Sequence, residues 1–275
     1  MKVWVDGALA DEDDPRVRVS PFDHGLLTGD GIFETLKVCG GQPFAMRRHL
    51  ERLARSALGL GLACPDAAMV RDALAAVIEA NGLDDGRARI TVTAGPAPLG
   101  SDRGADGPTV IVATGLLAPW PASTDVAVCP WRRNEHGALT GIKTISYGEN
   151  VVALAWAHRQ GAGEAIFANL AGNLCEGTGS NVFVVRGGQL LTPPLSAGCL
   201  AGVTRDLLLE LTDAVEQDLP IELLADVDEA FLSSSTREVQ PIRAVDGRVL
   251  PAAPGPIATA SAAALRALVA REIDP

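Results

Sequence analysis

Lysine is scarce in this chain of 275 residues: only Lys2, Lys37 and Lys143 stand beside twenty arginines. Arginine serves solvation and ion pairing equally well, but it stays protonated and cannot become the free amine that attacks an aldehyde. A single lysine after position 37 therefore invites a chemical reading of Lys143, against the plain alternative of a surface lysine. Paired cysteines are missing too. The five, Cys39, Cys64, Cys129, Cys175 and Cys199, are odd in number and show no Cys-x-x-Cys spacing, and the four histidines have no ligand spacing. Neither a disulfide framework nor a metal site is expected, and the thiols read as reduced and mostly buried. No run of about 18 apolar residues is present, and Met1 to Gly7 reads as a strand entering a turn rather than a signal peptide. We therefore expect a cytoplasmic protein with no membrane partner. Basic charge is also short: the net charge is −11 and the arginines are scattered, which excludes a nucleic-acid face and leaves a small-molecule partner. With 47% hydrophobic and 21% charged residues, the chain has the balance of a globular enzyme with a sizeable core.

Lys143 lies in Gly141-Ile142-Lys143-Thr144-Ile145-Ser146-Tyr147-Gly148. Downstream, Cys175-Glu176-Gly177-Thr178 places an acid in a small-residue turn before the apolar strand at Asn181. Then Ala201-Gly202-Val203-Thr204-Arg205 opens a leucine-rich helix. A glycine-flanked helix start offers free backbone N–H groups and a positive dipole end, which suit a phosphate. A lysine, an acid and an anion site, in that order, are the parts of a pyridoxal phosphate pocket.

These segments, with Phe22-Asp23-His24-Gly25 through Phe33-Glu34-Thr35 and Ser233-Ser234-Ser235-Thr236-Arg237-Glu238-Val239, resemble class IV pyridoxal-phosphate enzymes. That family comprises the branched-chain and D-amino-acid aminotransferases and the aminodeoxychorismate lyases. The resemblance runs over nearly the whole chain. It implies an α/β (α+β) fold of type IV, with a smaller N-terminal α/β domain at 1–118 and a larger barrel-like cofactor domain at 119–275, and a homodimer. It implies that Lys143 carries pyridoxal 5′-phosphate as a Schiff base and moves the α-proton, and that Glu176 faces the pyridine nitrogen. The phosphate would meet the Val203 and Thr204 N–H groups, Arg52 from His49-Leu50-Glu51-Arg52-Leu53, and Ser235 with Thr236. Asn181 and Tyr147 join the cofactor set, although branched-chain aminotransferases carry their tyrosine five residues after the lysine, where Gly148 stands here. Phe33, Arg89 and Arg103 are the substrate-side candidates, Arg103-Gly104 resembling the lyases and Arg89 the branched-chain enzymes.

Periodicity predicts strands at Lys2 to Val5 and Arg16 to Val19 as an antiparallel pair, and at Ile32 to Cys39, Arg87 to Thr93 and Thr109 to Thr114. A helix from Arg47 should bury Leu50, Leu53, Ala54, Ala57 and Leu58 and project Arg52, and one from Ala67 to Ala80 should bury Val70, Ala73, Leu74, Val77 and Ile78. Gly95 to Gly104 has little apolar area with which to anchor itself to its own domain, and the resemblance implies a homodimer in which such loops help wall the partner subunit's pocket, so that Arg103 could bind a substrate carboxylate across the interface. In the second half, strands are expected at Asp125 to Val128, Glu164 to Asn169, Asn181 to Arg186, Gln189 to Thr192, Ile221 to Leu224 and Val239 to Val245. Helices are expected from Asn150, from Gly202 and near Ala258 to Val269.

A nucleotide-binding reading of Gly137 to Thr144 fails because Ile142 separates glycine from lysine, whereas a P-loop needs them adjacent. A catalytically dead relative would be expected to have lost Lys143 or Glu176. Transamination between an amino acid and a 2-keto acid is the favoured reaction, with aminodeoxychorismate lyase as the alternative.

Overall fold

The computed structural model describes all 275 residues, Met1–Pro275. They form two compact units. The first comprises Met1–Ala118, Ile142–Tyr147 and Glu272–Pro275; the second comprises Pro119–Gly141 and Gly148–Arg271. A single division at residue 119 assigns both short segments to the other half, so the sequence-based domain limits differ from these units there.

The first unit contains β1 (Lys2–Val5), β2 (Ala8–Asp11), α1 (His24–Leu27), β3 (Gly31–Cys39), β4 (Gln42–Pro43), α2 (Met46–Leu60), α3 (Ala67–Ala80), β5 (Gly86–Thr93) and β6 (Thr109–Gly115). Its sheet runs β2-β1-β6-β5-β3-β4 and every pairing is antiparallel. The partner of β1 is β2, not Arg16 to Val19. Asp6 and Gly7 both take positive φ, 46° and 94°, and close a tight Asp-Gly hairpin, while Pro15–Val17 is a 3-10 turn. Alternation along β3 and β5 sends Ile32, Leu36, Ile90 and Val92 into one core with Leu53 and Leu74. Each fully buried aliphatic side chain there contributes about 1.5–3 kcal/mol.

The second unit contains β7 (Thr124–Arg133), α4 (Gly148–Arg159), β8 (Glu164–Asn169), β9 (Leu174–Gly177), β10 (Asn181–Arg186), β11 (Gln189–Thr192), α5 (Val203–Leu211), β12 (Val215–Glu216), β13 (Glu229–Ser234), β14 (Glu238–Val245), β15 (Arg248–Val249) and α6 (Pro256–Arg271). Eight strands follow the order β12-β11-β10-β13-β14-β7-β8-β9, and β15 pairs with β14. The sheet is mixed: β14–β7, β7–β8 and β11–β12 are parallel. All six residues of β8 are buried, the continuous pattern of a strand covered on both faces. The expected strand at Ile221 to Leu224 is a 3-10 helix, Ile221–Asp226, preceded by an N-cap Pro220 that cannot donate to a ladder. Asn150 lies inside α4 rather than capping it.

Candidate active site

Lys143 is seated on the first unit by its main chain. Phe33 N–H donates to Lys143 O at 2.9 Å, Ile145 N–H to Gly31 O at 2.9 Å, and Lys143 N–H to Ser56 Oγ at 3.2 Å. Gly31 is required there, since a Cβ would lie 2.6 Å from the Val92 carbonyl oxygen. The Lys143 Nζ lies 4.3 Å from the centre of the Phe33 ring. Arg89 stacks on the same ring at 3.9 Å, and Tyr147 meets it edge-on with centroids 5.2 Å apart. Lys143, Arg89 and Tyr147 are thus gathered around the ring of Phe33.

Below them, α2 turns polar side chains inward. His49, Arg52 and Ser56 are buried, whereas Leu58, expected inside, is 83% exposed. Arg52 grips the fully buried Glu34 of β3 with Nε to Oε1 at 2.8 Å and Nη2 to Oε2 at 2.6 Å. His49 Nδ1 lies 2.7 Å from Glu34 Oε2, and an ionised carboxylate only accepts, so Nδ1 carries the proton. Burial pushes the Glu34 carboxyl up, but Arg52 and His49 outweigh it and hold it at about 2. Burial lowers His49, and the positive charges of Arg52 and Lys143 act in the same direction against Glu34. The imidazole is therefore neutral at neutral pH. The expected solvated role of Arg52 by pattern is overturned: it is an internal ion-pair partner.

Arg103 does not project from a loosely held loop. Its Nε and Nη2 bind Asp30 at 2.7 Å each, Nη1 donates to Gly61 O at 2.7 Å, and Nη2 also donates to Leu60 O at 2.9 Å. The loop is further tied to the first residue of α1 by His24 N–H to Gly95 O, and to the segment before it by Ala97 N–H to Phe22 O. Within this chain Arg103 thus anchors the loop to its own unit.

In the second unit Glu176 lies on β9, paired with Phe167 of β8, rather than in a turn. Its Oε2 accepts Leu200 N–H at 2.9 Å, and its Oε1 stands 3.4 Å from Arg133 Nε. The Arg133 guanidinium covers the Phe167 ring at 4.1 Å. At the start of α5, Gly202 is the N-cap and supplies no side-chain cap bond. Asn181 Nδ2 donates to Leu200 O at 2.8 Å, and a Cβ on Gly202 would come within 2.0 Å of Asn181 Oδ1. Asn181 therefore shapes the turn that presents Val203 and Thr204. Ser235 and Thr236 occupy the turn between β13 and β14, braced by Arg237, whose guanidinium binds buried Glu164 at 2.9 Å and lies 4.0 Å over Trp120.

Sequence reasoning missed Glu34, His49 and Ser56, Arg133 and the Arg237–Glu164 pair. Positions 49, 52 and 56 fall on the helical face of Leu53 and Ala57, a spacing that could have revealed polar groups turned inward.

The family model for amino-transferase class IV matches residues 31–245, more than half of the chain. The chain belongs to the class IV aminotransferase family. Among curated proteins, the aminodeoxychorismate lyase of Bacillus subtilis is 31% identical, covering 89% of this chain and 86% of its own length. Branched-chain and D-alanine aminotransferases are further relatives. The branched-chain aminotransferase of Thermoproteus uzoniensis, solved with norvaline, has 32% identity and a TM-score of 0.89, covering 98% of this chain and 94% of that one. A hypothetical aminotransferase from Mycobacterium tuberculosis in a PLP-bound form has 27% identity and a TM-score of 0.87, covering 99% and 100%. The fold is therefore the type IV aminotransferase fold, and the chain is an enzyme of this family. No helix is long and apolar enough to cross a membrane.

Proposed function

We propose that this family member is a pyridoxal 5′-phosphate-dependent aminotransferase moving an amino group between an amino acid and a 2-keto acid, with Lys143 as its reactive amine. The observation that carries this reading is the seat of Lys143, whose main-chain N–H and C=O are each held by a defined partner, Ser56 and Phe33. Fixing the main chain limits the travel of the amine, as a group that first carries a cofactor and then moves a proton requires. When bound, pyridoxal phosphate supplies an aldehyde for amine capture and a protonated ring that accepts electron density.

The residues present fit that group. Gly202 adds no side chain at the α5 start, so the Val203 and Thr204 N–H groups are available to an anion. Asn181 holds the turn, and Ser235 and Thr236 add hydroxyls. Glu176 is assigned to the ring nitrogen, with Leu200 N–H orienting one carboxylate oxygen. Arg52 enters chiefly through Glu34, and Tyr147 through the Phe33 wall.

Arg89, stacked on the ring that also faces Lys143, is the better candidate for the substrate carboxylate. Arg103, which favours the lyase in sequence, has its donors committed to Asp30, Leu60 and Gly61, and this favours transamination. A cytoplasmic homodimer is part of the same reading, and light scattering under assay conditions tests the dimer.

The deciding experiment is borohydride trapping and turnover in Lys143→Ala, with amino transfer assayed from a panel of L- and D-amino acids alongside pyruvate release from aminodeoxychorismate. Both trapping and transfer should vanish in the variant. Trapping that persists removes Lys143 from the mechanism, and pyruvate release without amino transfer in the wild type replaces transaminase by lyase.

A further inference from the structure

The helix that supports Lys143 has no cap of its own. Ala45, its N-cap residue, sits in the left-handed region at φ 54° and ψ 39°, and no local side chain receives the first N–H groups of α2. A non-glycine residue there is strained and must be held by its surroundings. What holds it comes from the far end of the sequence. Ala45 N–H donates to Ile273 O at 2.7 Å, and Arg47 N–H donates to Asp274 Oδ1 at 2.7 Å. Arg47 Nη2 and Arg48 Nε both donate to Pro275 O, at 2.9 and 3.0 Å. An acceptor carboxylate at this position satisfies an orphan donor and complements the positive end of the helix.

The same helix reaches the reactive amine. His49 and Arg52 bind Glu34, the neighbour of Phe33, and Ser56 Oγ accepts the Lys143 N–H. From Arg47 to Ser56 is about 14 Å of helix, short enough for the rod to move as one piece. A helix whose first turn is loose shifts or frays, and the hydroxyl that fixes Lys143 shifts with it.

We infer that Ile273–Pro275 is a clasp on the first turn of α2, and that Asp274 is a positioning residue for Lys143, acting through α2 and Ser56. The inference rests on the function proposed above for Lys143.

The three lysines make the test self-controlled. Protein freed of cofactor is exposed to pyridoxal 5′-phosphate and borohydride for timed intervals, and modification at Lys143, Lys2 and Lys37 is read separately by peptide mass spectrometry, below the melting temperature of every variant. Asp274→Ala should slow trapping at Lys143 by up to about tenfold, the scale of a lost helix cap, while Lys2 and Lys37 keep their wild-type rates. Asp274→Asn keeps a capping oxygen and should restore Lys143 to within about twofold of wild type, because asparagine caps as well as aspartate. Wild-type trapping at Lys143 in Asp274→Ala overturns the clasp, as does a change of equal size at Lys37, which marks general loosening. Failure of Asp274→Asn to restore the rate overturns the capping route. A wild-type protein that traps nothing at Lys143 defeats the proposed function itself, a different result from normal trapping in both variants.

Discussion

Arg133 and Glu176 stand against each other in an ionic contact that is not a hydrogen bond: Nε lies 3.4 Å from Oε1, and this buried Nε has no hydrogen-bond partner. A carboxylate beside a fixed guanidinium shares its negative charge, which weakens its hold on a second cation such as a protonated ring nitrogen. Glu176→Gln should lower turnover by about 10²-fold or more, about 2.7 kcal/mol of barrier, with a smaller change in cofactor affinity. Arg133→Gln should instead shift the pH midpoint of the bound cofactor's visible absorbance, because the carboxylate then serves the ring alone. Wild-type turnover in Glu176→Gln would leave Glu176 as an ordinary strand residue.

The Glu34–His49–Arg52 cluster predicts an acid-sensitive fold. His49 is lowered in the folded chain, so below its usual 6.5 the unfolded chain takes up a proton that the native chain refuses. Glu34 is held at about 2, so below its usual 4.5 the same inequality applies. Both contributions are complete above the unfolded values and are lost as pH falls through the folded ones. For Glu34 the full effect is of the order of 3 kcal/mol. The melting temperature should therefore begin to fall near pH 6.5 and fall further below 4.5, and His49→Gln should flatten the upper part of that descent. A wild-type melting temperature constant between pH 6.5 and 4.5 would contradict the neutral buried imidazole.

Arg103→Ala should act on the loop and not on the substrate. The side chain is about one-third exposed, so the loss in global stability is about 1 kcal/mol or less. The clearer consequence is faster proteolytic nicking between Gly95 and Gly107, with the Michaelis constants for amino and keto acids unchanged. A rise confined to acidic substrates would return Arg103 to the substrate side.

Gly202→Ala tests the α5 start. The new methyl carbon would press within 2.0 Å of Asn181 Oδ1, so the turn must open or Asn181 must swing away. Overpacking of this kind costs about 1–3 kcal/mol. If phosphate binds there, the affinity for pyridoxal 5′-phosphate should fall much further than the affinity for pyridoxal, which titration of the cofactor-free protein can compare directly.

How far the sequence spoke for the structure depended on whether the partners were local. In α3 the apolar period is uninterrupted, and Val70, Ala73, Leu74, Val77 and Ile78 are buried as the spacing predicts. In α2 the same reasoning reversed Arg52 and Leu58, because Glu34 on β3 provides the charge that makes a buried arginine tolerable, and nothing near position 52 announces it. Lys143 could be singled out by its scarcity alone, yet its seat could not, since Ser56 and Phe33 lie about a hundred residues earlier. Asp6-Gly7 is the opposite lesson: the short-range hairpin signal in the letters prevails over the longer-range pairing that the alternation of Arg16 to Val19 suggests.

The seating of Ile142–Tyr147 and Glu272–Pro275 with Met1–Ala118 means that the polypeptide passes between its two units four times. Such a chain has no joint at which recombination could exchange one half for that of a cousin. A crossover at residue 119 would join the Lys143 segment from one parent to a β3 and an α2 inherited from another, and would fasten a foreign tail onto Arg47 and Arg48. Chimeras cut there should lose their seat for Lys143 even when each half comes from an active enzyme, whereas single replacements at Phe33 or Arg89 leave that seat intact. Substitution in place is the route open to this architecture for acquiring a new substrate.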